Sequence, residues 1–260
     1  MKKIEPAKVK ASAELTGKIQ NFWTDNVNAE RIYGKEVSKG ERGSEQYFKE
    51  LTDQRYMSHR HLLPWIQTMD EGRSVLEIGS GVGLDTFTIA ANGLNVTAID
   101  LTEVAAKTVK SRFLRHGFKG EFLVADACIL PFDNNSFDYV YSFGVLHHTA
   151  DTEKSIQEVF RVLRPGGEAR IMLYHRHSLN EVVHRITRVP FEEKDHICPV
   201  VRRFTIKEVA QIFSSFSSLE THLDYVYGEG YGRIFKLTPD FLYSLLSKYF
   251  GWHIMIKAVK

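Results

Sequence analysis

Between Ser74 and Tyr174 five short β-rich runs are separated by helical stretches, and no other feature restricts the fold as strongly. The runs are Ser74-Val-Leu-Glu-Ile-Gly79, Asn95-Val-Thr-Ala-Ile-Asp100, Glu121-Phe-Leu-Val-Ala-Asp126, Phe137-Asp-Tyr-Val-Tyr-Ser142 and Glu168-Ala-Arg-Ile-Met-Leu-Tyr174. Each has the length and β-branched or aromatic content of a buried strand. Helices are expected over Leu84 to Asn92, closed by Gly93, and over Glu103 to His116, opened by Thr102 and closed by Gly117. A third is expected over Thr152 to Leu163, opened by Asp151. Parallel strands need crossover connections, and right-handed crossovers place helices on both faces of the sheet. The order therefore predicts an α/β fold with a doubly wound, Rossmann-like and mostly parallel seven-stranded sheet, and a ligand site beyond the strands' carboxyl ends.

The flanks read differently. About 70 residues before the sheet are helices and loops dense in aromatics (Phe22, Trp23, Tyr33, Tyr47, Phe48, Tyr56 and Trp65), expected to form an N-terminal helical cap. After Tyr174 a basic, histidine-bearing stretch leads to Thr205 and Glu208, spaced as a capping box that opens a helix toward Phe213. Strands are expected at Leu219 to Tyr227 and His253 to Lys260, with a helix near Pro239 to Tyr249 between them. The division is thus a cap over 1–70, a core over 71–175, and a substrate-side insertion with the sheet's last strands over 176–260, within one compact domain.

Composition excludes several classes. With 34 basic against 32 acidic residues there is no global field for gripping nucleic acid or anionic lipid. Cys128 and Cys198 make neither a disulfide framework nor a Cys-x-x-Cys site, which fits a reducing cytoplasm. No apolar run reaches the roughly 18 residues of a membrane span, so no membrane partner is expected.

The chemistry concentrates at Val75-Leu-Glu77-Ile-Gly79-Ser-Gly81-Val-Gly83, a glycine turn joining the first strand to the first helix. Its spacing is not the Gly-x-Gly-x-x-Gly of dinucleotide enzymes. Asp100 ends the second strand, 21 residues beyond Gly79, where a carboxylate accepts hydrogen bonds from a ribose diol; Asp126 ends the third. Acids gathered on adjacent strand ends are costly unless solvated or facing a ligand with donors and positive charge, and a diphosphate would be repelled.

Here the sequence resembles the class I S-adenosylmethionine-dependent methyltransferases, in particular the type 11-like group acting on small molecules. The match runs from Val75 through Tyr174 and includes Leu130-Pro131-Phe-Asp-Asn-Asn-Ser-Phe137-Asp-Tyr, Leu146-His147-His148 and Phe160-Arg-Val-Leu-Arg-Pro165-Gly166-Gly167. The resemblance implies S-adenosylmethionine as cofactor, with the Gly79 to Gly83 turn at its methionine end, Asp100 at the ribose, and Asp126 with the Ala127 backbone at adenine. Glu77, Leu101 and Phe143 complete the cofactor set in the core, and Tyr33 and Arg55 are expected to reach it from the cap. A sulfonium and an ammonium suit carboxylates where phosphate-binding amides would not.

His147 and His148, after the fourth strand, are the candidate general bases, with loop ordering as their plain structural role. No spaced carboxylates complete a hard-ion site, so no metal is expected. From Arg170 to Arg203 seven Lys or Arg stand against four Asp or Glu; Tyr174, His175, Arg176 or His177 could reach inward from this stretch toward an acceptor bearing carboxylate or phosphate. The expected activity is methyl transfer to an oxygen of a small metabolite, ahead of nitrogen or carbon. A cofactor-binding partner without turnover is the alternative. Nucleic acid is disfavoured as acceptor, because the fourth strand leads into Ser142-Phe143-Gly144-Val145 and the basic stretch lacks interleaved aromatics.

Overall fold

A computed structural model describes residues 6–27, 38–188, 198–228 and 231–260, with side chains from Ala13 onward. Among the described residues three helices precede the sheet: α1 (Pro6–Asp25), α2 (Glu45–Ser58) and α3 (Leu62–Gln67). The core then alternates β1 (Ser74–Ile78), α4 (Leu84–Ala91), β2 (Asn95–Asp100), α5 (Glu103–His116), β3 (Glu121–Val124), β4 (Phe137–Phe143), α6 (Thr152–Val162) and β5 (Leu163–Tyr174). A single 3-10 turn, Leu146–His148, links β4 to α6. Beyond Tyr174 come α7 (Leu179–Thr187), α8 (Ile206–Ile212), β6 (Ser218–Asp224), α9 (Arg233–Leu237), α10 (Asp240–Phe250) and β7 (His253–Val259).

The seven strands lie in the order β3-β2-β1-β4-β5-β7-β6. Only β7 runs against its neighbours. Helix starts follow the local chemistry: Ser44, Thr102, Asp151, Ser178 and Thr205 each accept a backbone N–H of the first turn, and Thr205 with Glu208 forms the full capping box. One core cluster packs α6, α8 and β7 against a sheet face through Ile156, Val159, Val209, Phe213 and Ile254. A second, on Trp65, Ile89, Val109, Phe113, Tyr141 and Met255, serves α3 to α5.

Two expectations shift. The fifth strand begins at Leu163 rather than Glu168, because Leu163 pairs with Phe137 across an irregular register before the ladder resumes at Tyr139 and Glu168. Helix α7 falls inside the basic, histidine-bearing stretch, to which no helix was assigned; Leu179, Val182, Val183 and Ile186 recur there at helical spacing, although none of its side chains is buried.

The reversal of β7 decides what reaches the site. Its first residue, His253, pairs with Tyr174 at the end of β5 and with Asp224 at the end of β6. An antiparallel strand thereby delivers its amino end to the carboxyl edge of the parallel ones.

Candidate active site

A cavity of about 370 Å³ opens along the carboxyl edge of the sheet, crossing from the end of β3 to the start of β7. It includes the switch point between β1 and β4, where a doubly wound sheet leaves a crevice. Its ionisable walls, among the described residues, are Glu77, Asp85, Asp100, Asp126 and Arg55 with His59, His148 and His253.

The glycine turn builds one side. Gly79, Gly81 and Gly83 all have positive φ, at 82°, 53° and 78°. Their missing Cβ atoms serve different ends. At Gly79 a Cβ would fall 2.2 Å from Val145 Cγ2, and at Gly83 2.8 Å from Val109 Cγ2, so both let apolar neighbours pack. Only Gly81 faces open space, and Gly83 does not line the cavity. The ligand-approach role expected of all three therefore has room at Gly81 alone.

Asp100 fastens this turn. Its Oδ2 accepts the Gly81 N–H at 3.0 Å, and its Oδ1 accepts the Thr102 N–H and hydroxyl at 2.9 and 2.8 Å. Burial pushes its carboxyl pKa up, opposed by those bonds. A carboxylate oxygen has two lone pairs, so Oδ2 keeps capacity for another donor. Asp126 Oδ1 accepts the Cys128 N–H at 2.8 Å, and Thr16 of α1 donates to its Oδ2 at 3.4 Å. Gln20 of α1 donates to the Leu101 carbonyl at 2.8 Å, holding the cap helix over this half, where Ala127 also lines the wall.

Glu77 is the outlier. It is 3% exposed and lines the cavity, yet its Oε2 has no hydrogen-bond partner. Burial, and then the nearby Asp85 charge, raise its pKa well above the ordinary carboxylate range, which favours its protonated form. An unpaired buried carboxyl oxygen costs about 1–3 kcal/mol and marks a place for a donor.

Asp85, in the first turn of α4, went unread in the sequence. It accepts two hydrogen bonds from Arg55, one from Tyr56 at 3.1 Å and one from Tyr141 at 2.8 Å. Arg55 also lies over the Phe143 ring, 5.1 Å from its centroid. Both Arg55 and Phe143 line the cavity, whereas Tyr33 lies outside the described residues.

Of the histidine doublet only His148 reaches the cavity. Its Nδ1 is 2.7 Å from the Val200 carbonyl, a contact that orders the following loop. His147 packs 3.8 Å from the Tyr174 ring, fully buried outside the cavity lining, and no described residue pairs with either of its ring nitrogens. Burial, with His148 and Arg203 beside it, keeps it neutral.

The basic stretch also departs from expectation. Arg170 binds Glu168 and the α3 backbone, Arg176 pairs with Glu208, and Arg203 pairs with Glu181. Arg202 donates to the Thr149 and Ala150 carbonyls. Tyr174 lines the cavity, but His175, Arg176 and His177 do not; Lys194 and His196 lie outside the described residues.

Residues 76–171 match the profile of a methyltransferase domain family. The chain carries a class I S-adenosylmethionine-dependent methyltransferase domain. A demethylmenaquinone methyltransferase of Clavibacter sepedonicus is 39% identical to this domain over 97 residues, covering 37% of this chain and 39% of the relative. A 2-methyl-6-phytyl-1,4-hydroquinone methyltransferase of Synechocystis is 26% identical over 159 residues, covering 60% and 50%. Among solved structures, a methyltransferase of Thermotoga maritima described as a possible histamine N-methyltransferase superposes with a TM-score of 0.61 at 16% identity, over 93% of this chain and 99% of that one. That likeness concerns the fold alone. The chain spans from about a quarter to half the length of the first curated relatives it matches.

The methyltransferase domain fits its cofactor class by this structure's own features: an unpartnered carboxyl oxygen at Glu77, an open cradle at Gly81, and a wall in which four acids outnumber one arginine. Among the described residues no group of His, Cys, Asp and Glu could hold a metal ion, and no helix is long and apolar enough to cross a membrane.

Proposed function

We propose that the chain transfers a methyl group from S-adenosylmethionine to an oxygen of a small metabolite. The observation that carries this reading is the acid-walled cavity at the switch point, with Glu77 Oε2 unpartnered inside it. Bound there, the cofactor supplies a methyl group on a cationic sulfur. Glu77 would receive its ammonium end beside the Gly79–Gly81 turn, Asp100 a ribose hydroxyl through its remaining lone pair, and Asp126 with Ala127 the adenine. Leu101 and the α1 residues Thr16 and Ile19 exclude water from that half.

The protein's principal contribution is to hold two reactants in line, which is worth up to roughly 7–11 kcal/mol of barrier. A positioned base adds about 10²–10⁴-fold. An acceptor with a carboxylate or phosphate finds little support, since Arg55, the one arginine or lysine of the wall among the described residues, is held by Asp85. The relatives' names divide: a demethylmenaquinone and a hydroquinone methyltransferase agree with an uncharged ring, whereas a phosphoethanolamine N-methyltransferase of Caenorhabditis elegans is named for a charged acceptor.

Calorimetric titration with S-adenosylhomocysteine tests the reading. Asp100→Ala removes a charge-assisted acceptor worth about 1.5–3 kcal/mol and loosens the Gly81 turn, so affinity should fall about 10- to 100-fold. Undiminished affinity would overturn the assignment.

Glu77 makes a second prediction. Burial favours its protonated form in the free protein and a bound ammonium would favour the ionised one, so binding should release protons. The apparent enthalpy should then change with the buffer's ionisation enthalpy, and Glu77→Gln should abolish that dependence.

A further inference from the structure

The cavity wall away from the acids is built almost entirely from rings: Phe143, Tyr174, Tyr225 and Trp252, with His59 and His253. Three of them lie parallel. Tyr225 is 4.6 Å from His59 and 4.5 Å from His253, the planes within 5° of each other, and His59 is 5.6 Å from His253 at 4°. Phe143 meets His253 edge-on at 5.1 Å. Tyr225 is held at φ 60°, a left-handed conformation that costs an aromatic residue about 1–3 kcal/mol and recurs at ligand sites. Its N–H donates to Asp224 Oδ1 at 2.6 Å and its carbonyl accepts from the Trp252 N–H at 2.9 Å, so the turn is fixed from both sides.

The histidines are also chained. His253 Nδ1 is 3.3 Å from His61 Nε2, and His61 Nδ1 is 3.6 Å from Asp224 Oδ1. At 3.6 Å the Asp224 carboxylate does not hydrogen-bond the ring, but its charge favours the His61 proton on Nδ1, which leaves Nε2 to accept from His253 Nδ1–H. The lone pair of His253 then sits on Nε2, for which no hydrogen bond exists among the described residues, on a residue lining the cavity. His59 differs: its Nδ1 is 3.2 Å from the Arg55 carbonyl, and its ring has the Arg55 charge nearby with no carboxylate behind it.

We propose that His59, Tyr225 and His253, with Phe143, form the acceptor subsite, that it takes a flat, uncharged ring bearing a hydroxyl group, and that His253 Nε2 removes the hydroxyl proton. This assignment rests on the methyl-transfer reading above. Parallel rings present a face on which a planar acceptor stacks, worth about 0.5–1.5 kcal/mol beyond its burial. In the transfer the acceptor's oxygen uses a lone pair to form the O–CH3 bond, the S–CH3 electron pair stays with sulfur, and the O–H proton passes to Nε2. One positive charge leaves the sulfur as one arises on the imidazole, so the cavity's net charge is unchanged.

The groups facing His253 are Arg55, His59 and His61 from the cap, His147 after β4, Tyr174 at the end of β5, Asp224 at the end of β6, and Tyr225 after it. Burial and the neighbouring histidines hold His253 well below its ordinary pKa, so its lone pair is available across the neutral range. His61 and Asp224 are positioning residues that fix the tautomer.

The probes are phenol and its anionic counterpart 4-hydroxybenzoate, added to the protein loaded with S-adenosylhomocysteine and followed by calorimetry, then with labelled S-adenosylmethionine for turnover. Phenol should bind at least tenfold tighter than 4-hydroxybenzoate. His253→Gln should keep phenol affinity within about threefold and lower kcat by about 10²–10⁴. Its residual rate should climb about tenfold per pH unit below phenol's ionisation, where the parent protein stays flat. His61→Gln, a milder change, should lower kcat about tenfold at unchanged KM. An unchanged kcat and pH profile in both variants would overturn the base assignment, and equal or tighter binding of 4-hydroxybenzoate would overturn the acceptor class. If S-adenosylhomocysteine binds and phenol does not, the acceptor assignment fails alone. If S-adenosylhomocysteine itself does not bind, the methyl-transfer reading fails instead.

Discussion

Arg55→Ala should destabilise the protein by about 3–5 kcal/mol, the cost of breaking a buried ion pair from one side. The Arg55 and Asp85 side chains are 14% and 4% exposed, and both guanidinium contacts fall on the same carboxylate. Removing the guanidinium leaves Asp85 with two phenolic donors, Tyr56 and Tyr141, and no opposite charge. Asp85 must then draw in water, and its unbalanced charge pushes Glu77 further toward the protonated form. Two changes therefore separate pairing from packing. Arg55→Ala with Asp85→Asn should recover a sizeable part of the loss, because the orphaned charge is gone, whereas Arg55→Lys should recover less, since an ammonium lacks the two-pronged fit. Denaturant unfolding measures all three. If Arg55→Ala alone costs under 1 kcal/mol, the pair is not the strut that holds α2 to α4.

That pair also marks where reading the sequence stopped. The acids at Glu77, Asp100 and Asp126 were legible because each sits at or beside the end of a β-rich run, and parallel topology alone carries those ends to one edge. Asp85 was not, since an acid in a first helical turn ordinarily complements the helix dipole at the surface. Its partner lies in the cap, and nothing in local spacing joins the two. His59, Tyr225 and His253 are more distant still in the chain, meeting through the antiparallel course of β7 and a left-handed residue after β6. A signal existed: a histidine opening the last strand of a sheet whose final strand reverses. It becomes usable only once that reversal is assumed. The doublet His147-His148 drew attention instead because it is adjacent in sequence, yet its rings pack 4.2 Å apart with only His148 in the cavity wall and His147 against Tyr174.

The same buried histidines dictate how the fold responds to acid. Burial holds His59, His147 and His253 well below their ordinary pKa and His61 at about 4, so all four are neutral in the folded chain at pH 5.5 while the unfolded chain protonates them below about 6.5. The unfolded state then binds more protons, and stability falls as pH falls. Glu77 and Asp100 act oppositely, because their raised pKa values make the folded chain hold protons that the unfolded chain gives up. With His175 and His222, whose burial also lowers their pKa, the histidines outnumber the two carboxyls by at least two, so at least about 3 kcal/mol is lost per pH unit below pH 6. Against a typical total of about 5–15 kcal/mol, cooperative unfolding is expected in mild acid, between about pH 4 and 5. Near-ultraviolet circular dichroism across pH 7.5 to 4 should show this loss, and His61→Gln should shift the midpoint downward by removing one of the four groups. Stability that stays level from pH 7 to 5 would mean that these rings already meet water or a proton in the native state, and the neutral lone pair assigned to His253 would lose its basis.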